Sequence, residues 1–455
     1  SSAFPDRAER FYFATGISVF PEPNATTPTA KVALFETSDI SDLEKGFRFS
    51  GKFLFGDPYE LSNMFECPDF FLLSKEGGAA TLTSGVAVVK ASSMTTRHDY
   101  FYMGSYNATT LNVEQTTAPV AVDYGNWYAS KTFWDSTLQQ RILFGWIGEE
   151  DGDYAQRGWA GVQSIPRVVV FDDALQTVRT YPLPQLEGLR GAPSAKIATP
   201  TPIANDSCVE LLMSSPSAPR AQHEIQATFQ VPASSEFRVE LRLLQYNIGG
   251  SYTSVSVDSN MPNGGALWNN TDQPGGDYKD FPLPGTDAGA DILNCSASCE
   301  ADRRCVAWTY VRAGFPAPSP PFNYAPRCSL KGTLPSALNP AAPCCVSGRP
   351  QSAWISLNRE SSGTTGSTAP WQGRASILPD PFDSTEGRIK LHVFVDHSVI
   401  EAFMDDGLER VSGRVYVPTA STAIANGVSV CSVTGAQESA VQLQEASVWP
   451  LNSIW

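Results

Sequence analysis

From Phe11 to about Arg190 the chain is cut into short, aromatic-rich runs by Gly, Pro, Asn and Asp: "RFYFATGISVF", "KVALFETS", "FFLLS", "GVAVVKA", "DYFYMGSY", "RILFGWIGE" and "RVVVFD". Apolar residues in these runs do not recur at helical spacing. Evenly spaced short strands closed by turn residues are what propellers and sandwiches require. A second β-rich part begins near His223 with "EIQATFQV" and "EFRVELRLLQY", where apolar and polar residues alternate as in sheets wet on one face. It resumes with "SAWISLN" and "GRIKLHVFVDHSVIEAFM" and closes at "ASVWPLNSIW", and the two halves read as one antiparallel sandwich.

These patterns predict an all-β chain. Residues 1–190 form the propeller part, 191–222 a linker, and 223–258 with 351–455 the sandwich, which 259–350 interrupts. An insertion at an exposed loop tip leaves the host strands free to pair around it.

Bulk properties narrow the partners. The 455 residues carry a formal net charge of −15, which repels a phosphate backbone and argues against nucleic acid. No stretch approaches the roughly 18 uninterrupted apolar residues of a membrane helix, so no membrane span is expected. Six cysteines, Cys295, Cys299, Cys305, Cys328, Cys344 and Cys345, fall close together and predict a local disulfide framework made in an oxidising compartment. Their pairing is not selected by the sequence, and their spacings lack the paired knuckles of a zinc site. Neither a metal nor another cofactor is expected, since His98, His223, His392 and His397 are scattered. Sequons at Asn24, Asn107, Asn205, Asn269 and Asn294 fit a secreted or vacuolar glycoprotein. The start, "SSAFPDRAERFYF", has no basic or apolar leader region, so a signal peptide is expected upstream or already removed.

One carboxylate stands out. In "NMFECPDFFLL", Glu66 sits between an aromatic and a Cys-Pro pair at the head of an apolar run. Read alone, it is a strand-end acid satisfied by an arginine or by backbone amides. The surrounding order of motifs changes that reading. "FECPDFF", "DYGNWYASKTFWD" (Asp123 to Asp135), "RILFGWIGE", "GWAGVQSIPRVVVFD", "YPLPQLEGLR", "VFVDHSVIEAFMDDG" and the terminal "WPLNSIW" resemble, in that order, glycoside hydrolase family 32, the β-fructofuranosidases that include invertases and inulinases.

The resemblance implies a five-bladed β-propeller followed by a β-sandwich, and retaining cleavage of β-fructofuranosidic bonds in sucrose or β-fructans such as inulin or levan. It makes Glu66 the general acid/base, with the free thiol of Cys67 beside it. Retention needs two carboxyl groups about 5 Å apart, one nucleophilic and one protonated at the outset. The neighbours Phe65, Phe70 and Phe71 are expected to surround Glu66 and oppose its ionisation. The family's nucleophile lies in an Asn-Asp-Pro-Asn-like motif, and no such segment occurs here. Asp57-Pro58 and Asp380-Pro381 share only a dipeptide with it, and "SSAF" looks like the continuation of the family's Arg-Asp-Pro. The expectation is a partial propeller, lacking its first blade and part of the second, which has no hydrolase activity alone and would need the missing N-terminal segment as a partner.

Lesser sites follow from the same resemblance. Asp123, Lys131, Cys67 and Trp146 are expected near the sugar, with a surface ion pair as the plainer reading of Asp123 and Lys131. Trp127, Tyr128 and Trp134 are stacking candidates or core, and Arg141 and Arg167 structural ties. The interrupting segment resembles a small PAN/apple domain, which implies a carbohydrate or protein ligand. A fructosyltransferase, or a non-catalytic carbohydrate-binding or adhesion protein on the same fold, are the alternative functions.

Overall fold

The protein is seen in a computed structural model that describes residues 10–20, 28–41, 46–57, 62–74, 85–116, 119–149, 154–212, 222–232, 236–245, 252–259, 267–275, 277–285, 287–300, 302, 305, 307–314, 325–332, 339, 342–348, 353–360, 370–375, 377–379, 386–416, 427–433 and 441–452.

Among these residues the first part of the chain forms three antiparallel sheets. Phe11–Val19, Thr29–Thr37 and Arg48–Gly56 pair in that order. The next sheet runs Phe65–Ser74, Gly85–Ser93, Asp99–Asn107, Asn112–Gln115, with Val120–Ala121 also against Asp99–Asn107. In the third, Gln140–Ile147 pairs with Trp127–Asp135, Val162–Gln163 and Arg167–Asp172, and Thr177–Pro182 pairs with the last of these. The apolar run "GVAVVKA" is buried along nearly its whole strand, because it lies inside its sheet with both faces covered.

Two compact units result, one from Ser1–Val122, Tyr128–Gly145 and Val168–Val178, the other from Asp123–Trp127, Trp146–Arg167 and Arg179–Trp455. The core of the first joins Val32, Leu34, Phe55, Phe65, Val89 and Tyr102. Phe65 packs its ring 6.0 Å from Phe55 and edge-on to Tyr102 at 5.6 Å. Gly16 brings Phe11–Val19 against this strand. A Cβ there would lie 1.9 Å from the Phe65 carbonyl oxygen, so only glycine permits the approach beside Glu66.

The second unit holds a two-sheet sandwich. One sheet is ordered Ala195–Ile197, Gln442–Pro450, Gln222–Pro232, Glu386–Asp396, Val399–Met404, Glu409–Arg414. The other is ordered Ser207–Leu212, Gly427–Ser432, Arg238–Gln245, Thr253–Asp258, Ala353–Asn358, Trp371–Ala375. Ile225, Phe229, Leu241, Val255, Ile355, Leu391 and Val393 fill the core, in line with the alternation in their sequences. Residues 191–222 are not a plain linker. Ala195–Ile197 and Thr201–Pro202 pair with Gln442–Pro450, and Ser207–Leu212 pairs with Gly427–Ser432. These edge strands are short and proline-flanked, which hides their period. Cys208, in register opposite Cys431, is bonded to it, a disulfide the cysteine cluster did not suggest.

The segment within the sandwich has its own sheet, ordered Leu267–Asn269, Cys345–Gly348, Ala307–Val311, Arg327–Lys331, Asp277–Pro282, and the helix Ala288–Glu300. Asp287 caps that helix by accepting from the Ala290 amide at 2.7 Å. The six clustered cysteines pair as Cys295–Cys328, Cys299–Cys305 and Cys344–Cys345. From the sandwich, Arg374 donates to the carbonyls of Cys299, Asp302 and Cys305, fastening the helix's C-terminal end.

Among the sequons, Asn107, Asn269 and Asn294 are exposed and Asn205 is half-buried, while Asn24 lies outside the described residues. No helix among the described residues is long and apolar enough to cross a membrane.

A charged knot ties the sandwich to the residues that precede it. Glu224 is buried and accepts a two-pronged bond from Arg190, whose guanidinium lies 4.3 Å over Trp449, while His392 Nε2 is 2.7 Å from Glu224 Oε1. Burial alone would push the carboxyl up, but Arg190 and His392 together hold it down at about 2. A lowered folded pKa contributes stability that is present above the ordinary 4.5 and is lost as pH falls toward 2. We therefore expect an acid-unfolding component of about 3 kcal/mol between pH 5 and 2, absent in Glu224→Gln, measurable by urea denaturation across that range.

Candidate active site

Strand alternation and one irregularity set the geometry around Glu66. Phe65 pairs with Ser93 and Glu66 with Ser92, but Asp69 pairs with Lys90, so three steps on one strand face two on the other. This β-bulge places Cys67 at φ +45°, in the left-handed region that non-glycine residues rarely occupy. It also turns the pleat, so that Glu66 and Asp69 stand on the same side as their partners Ser92 and Lys90. A regular strand would have put those two carboxylates on opposite faces.

Glu66 is 39% exposed at its side chain. The Tyr128 hydroxyl donates to Glu66 Oε2 at 2.7 Å. The Arg97 guanidinium lies 4.1 Å over the Tyr128 ring and 4.0 Å from the same oxygen. Burial, reinforced by the bond to Glu66, pushes the Tyr128 phenol well above its ordinary value, so it remains a donor at physiological pH. The phenylalanines expected around the carboxyl are elsewhere. Phe65 points into the core on the opposite face, Phe70 packs on Tyr106 at 5.0 Å, and Phe71 lies under Arg141 at 4.3 Å. Phe65 and Phe70, opposite Ser93 and Val89, face away from the side that carries Glu66, while Phe71, opposite Val88, shares that side but lies further along the strand against Arg141.

The remaining candidates divide between the units. Lys131 donates to Asp69 Oδ1 and to the Pro68 carbonyl, both at 2.8 Å, and the Thr132 amide donates to Asp69 Oδ2 at 2.6 Å. Lys131 is thus tied to the bulge beside Glu66, and its ion-pair partner is Asp69, not Asp123. Cys67 is a free, half-buried thiol.

In the second unit Asp123 is buried. It accepts from the Gly125 and Ser412 amides, from Ser412 Oγ and from Arg167, whose other nitrogen donates to Glu401 at 2.7 Å. Those bonds occupy both its oxygens, so it is a structural anchor rather than a sugar contact. Trp127 is buried with Arg167 3.7 Å over its ring and is likewise core. Trp146 is 41% exposed, its indole lying against Gly161, where a Cβ would be 1.8 Å from Nε1. Among the described residues no three His, Cys, Asp or Glu come together to hold a metal ion.

Arg97 and Asp69 were missed in sequence. Asp69 stood in the quoted motif, but only the bulge reveals its side. Arg97 sits in a turn, also at positive φ, with no pattern to mark it.

Comparison with known families now bears on this constellation. Residues 21–182 match the glycosyl hydrolases family 32 N-terminal domain and residues 185–450 the glycosyl hydrolases family 32 C terminal domain, the second alone covering more than half the chain. The chain belongs to glycosyl hydrolase family 32. Among its relatives are the beta-fructofuranosidase insoluble isoenzyme CWINV3 of Arabidopsis thaliana, 38% identical over 146 residues, 29% of this chain and 25% of that protein. The insoluble isoenzyme 1 of Oryza sativa subsp. japonica is 42% identical over 143 residues, 29% of this chain and 25% of that one. The matched stretch thus spans about a quarter of the length of these relatives.

Among solved structures, fructan 1-exohydrolase IIa from Cichorium intybus superposes with a TM-score of 0.60 at 18% identity, covering 98% of this chain and 70% of that one. Bombyx mori beta-fructofuranosidase BmSUC1 gives 0.51 at 14%, covering 97% and 63%. These likenesses show the family 32 fold, a β-propeller followed by a β-sandwich.

Proposed function

We propose that this chain supplies the acid/base half of a retaining β-fructofuranosidase acting on sucrose or a β-fructan in the secretory pathway, outside the cell or in the vacuole. The observation that carries this reading is the Tyr128–Glu66 hydrogen bond on the "ECPD" bulge. It engages Oε2 and orients the carboxyl so that Oε1 can meet a glycosidic oxygen.

In the first half of a double displacement a carboxylate attacks the anomeric carbon of the fructosyl unit, while Glu66 gives its proton to the departing sugar oxygen. In the second half Glu66, now ionised, takes a proton from the water that attacks the fructosyl-enzyme. Tyr128 donates to Glu66 in both halves, and Arg97 steadies the negative charge that Glu66 carries between them. A sugar hydroxyl in place of water would give fructosyl transfer through the same steps.

The nucleophile's Asn-Asp-Pro-Asn-like motif is not among these 455 residues. Turnover is therefore expected only when another stretch of polypeptide contributes that carboxylate. The test is an assay on sucrose and inulin of this chain alone and of this chain combined with a polypeptide bearing the motif. We expect no turnover from the first and Glu66-dependent turnover from the second. Glu66-dependent turnover by the chain alone would defeat the nucleophile assignment, and none in either would leave carbohydrate binding without catalysis.

A further inference from the structure

Two strained backbone positions flank the hydrogen-bonded pair, and one buried side chain holds both. Cys67, next to Glu66, has φ +45°, and Ala129, next to Tyr128, has φ +53°. Each costs roughly 1 kcal/mol or more for a residue with a Cβ and persists only where the surroundings impose it. The bulge takes the Cys67 carbonyl out of the regular ladder, and a buried carbonyl must find a donor.

That donor is Lys90, on the neighbouring strand. Its side chain is fully buried, and Nζ donates to the Cys67 carbonyl at 2.8 Å and to the carbonyl of Ser130, the residue after Ala129. Asp99 completes the knot. Its Oδ2 lies 3.7 Å from Lys90 Nζ and accepts from the Ser130 amide at 2.7 Å and from Ser130 Oγ. Burial drives the Lys90 ammonium down from its ordinary value and Asp99 opposes this, so the charge sits where only close acceptors can hold it.

We propose that Lys90 is a positioning residue which, through the carbonyls of Cys67 and Ser130, holds the two left-handed kinks that aim Glu66 and Tyr128 at each other. The inference rests on Glu66 being the acid/base. A lysine serving stability alone would satisfy itself with the Asp99 carboxylate. Here its two hydrogen bonds instead reach the acid-bearing strand and the tyrosine-bearing strand, each within two residues of the side chain concerned.

The test substitutes Lys90→Met, which keeps length and removes the donor, and follows two local labels in the whole chain by peptide mass spectrometry below the unfolding transition. One is alkylation of the Cys67 thiol, the other carbodiimide amidation of Glu66. If the kinks relax, both labels should speed up about tenfold, the size expected for loss of a local restraint. A milder variant, Lys90→Gln, keeps an N–H donor on a shorter side chain that cannot hold both carbonyls, and should speed both about threefold.

A fall in thermal stability with unchanged labelling in the folded protein would overturn the proposal. If Lys90→Met does not fold, unchanged labels in Lys90→Gln would do the same. Neither label needs turnover. Should the combined protein prove to have no glycosidase activity, the functional reading falls while the labels still decide whether Lys90 holds Glu66.

Discussion

Glu66→Gln, in a preparation that also carries the nucleophile, is expected to lower sucrose turnover by about 10²–10⁴-fold with little change in substrate binding. Glutamine keeps the shape and can still accept from Tyr128, but it has no proton to give the leaving oxygen. The loss should therefore depend on the leaving group. An aryl fructoside whose phenolate departs without protonation should form the fructosyl-enzyme nearly as fast in the variant as in the parent, leaving hydrolysis of that intermediate as the slow step. Burst kinetics on such a substrate would reveal it. Equal losses on sucrose and on the activated fructoside would show that Glu66 does not protonate the leaving group.

The second large effect lies in the sandwich. Asp405 begins the "DDG" turn that joins Val399–Met404 to Glu409–Arg414, with Asp405, Asp406 and Gly407 all at positive φ. Its side chain is 3% exposed, Oδ1 accepts from the Lys390 amide at 2.9 Å, and Oδ2 has no hydrogen-bond partner among the described residues. Burial pushes the carboxyl up from 3.8 to about 7, only partly opposed by the Lys390 amide and the charge of Arg388. A raised folded pKa means that the favourable contribution is fully present below about 4 and is lost as pH rises through about 7.

By linkage the raised pKa costs roughly 4 kcal/mol of stability at pH 7 and roughly 2 at pH 5, where the folded carboxyl is protonated and the unfolded one ionised. Asp405→Asn keeps the acceptor for Lys390, tolerates a left-handed φ and removes the charge. It still buries one polar group without a partner, so the expected gain is about 2–3 kcal/mol at pH 7, shrinking toward zero at pH 4. Urea denaturation of both proteins at pH 4, 5.5 and 7 would measure this. A variant no more stable than the parent at pH 7 would show that the carboxyl is ionised there at little cost. The sign is opposite to that at Glu224, where an arginine and a histidine bond the carboxylate directly, whereas at Asp405 the Lys390 amide and the Arg388 charge do not offset burial.

Local pattern carried much of the architecture. Alternation in "EIQATFQV" and "GRIKLHVFVD" was enough to set which residues face the sandwich core, because a strand has only two faces and one must be dry. Density of cysteine was enough to mark a disulfide framework, but Cys208 and Cys431 lie far apart in sequence and meet only through strand register. The strands within 191–222 were hidden because short, proline-flanked edge pieces have no measurable period.

What the amino-acid order determined was composition of the elements and the presence of one suspicious acid: β-strands from aromatic and β-branched runs, and Glu66 within a recognisable run of motifs. What only the tertiary structure decided was the company that acid keeps. Tyr128 and Arg97 reach Glu66 from another strand and from a turn, a bulge with Cys67 in the left-handed region sets Asp69 on the same side as Glu66, and Lys90 holds the carbonyl of Cys67. The physical reason is that adding one residue to a strand inverts every side chain beyond it, and no pattern of residue types along the chain announces where a ladder will slip.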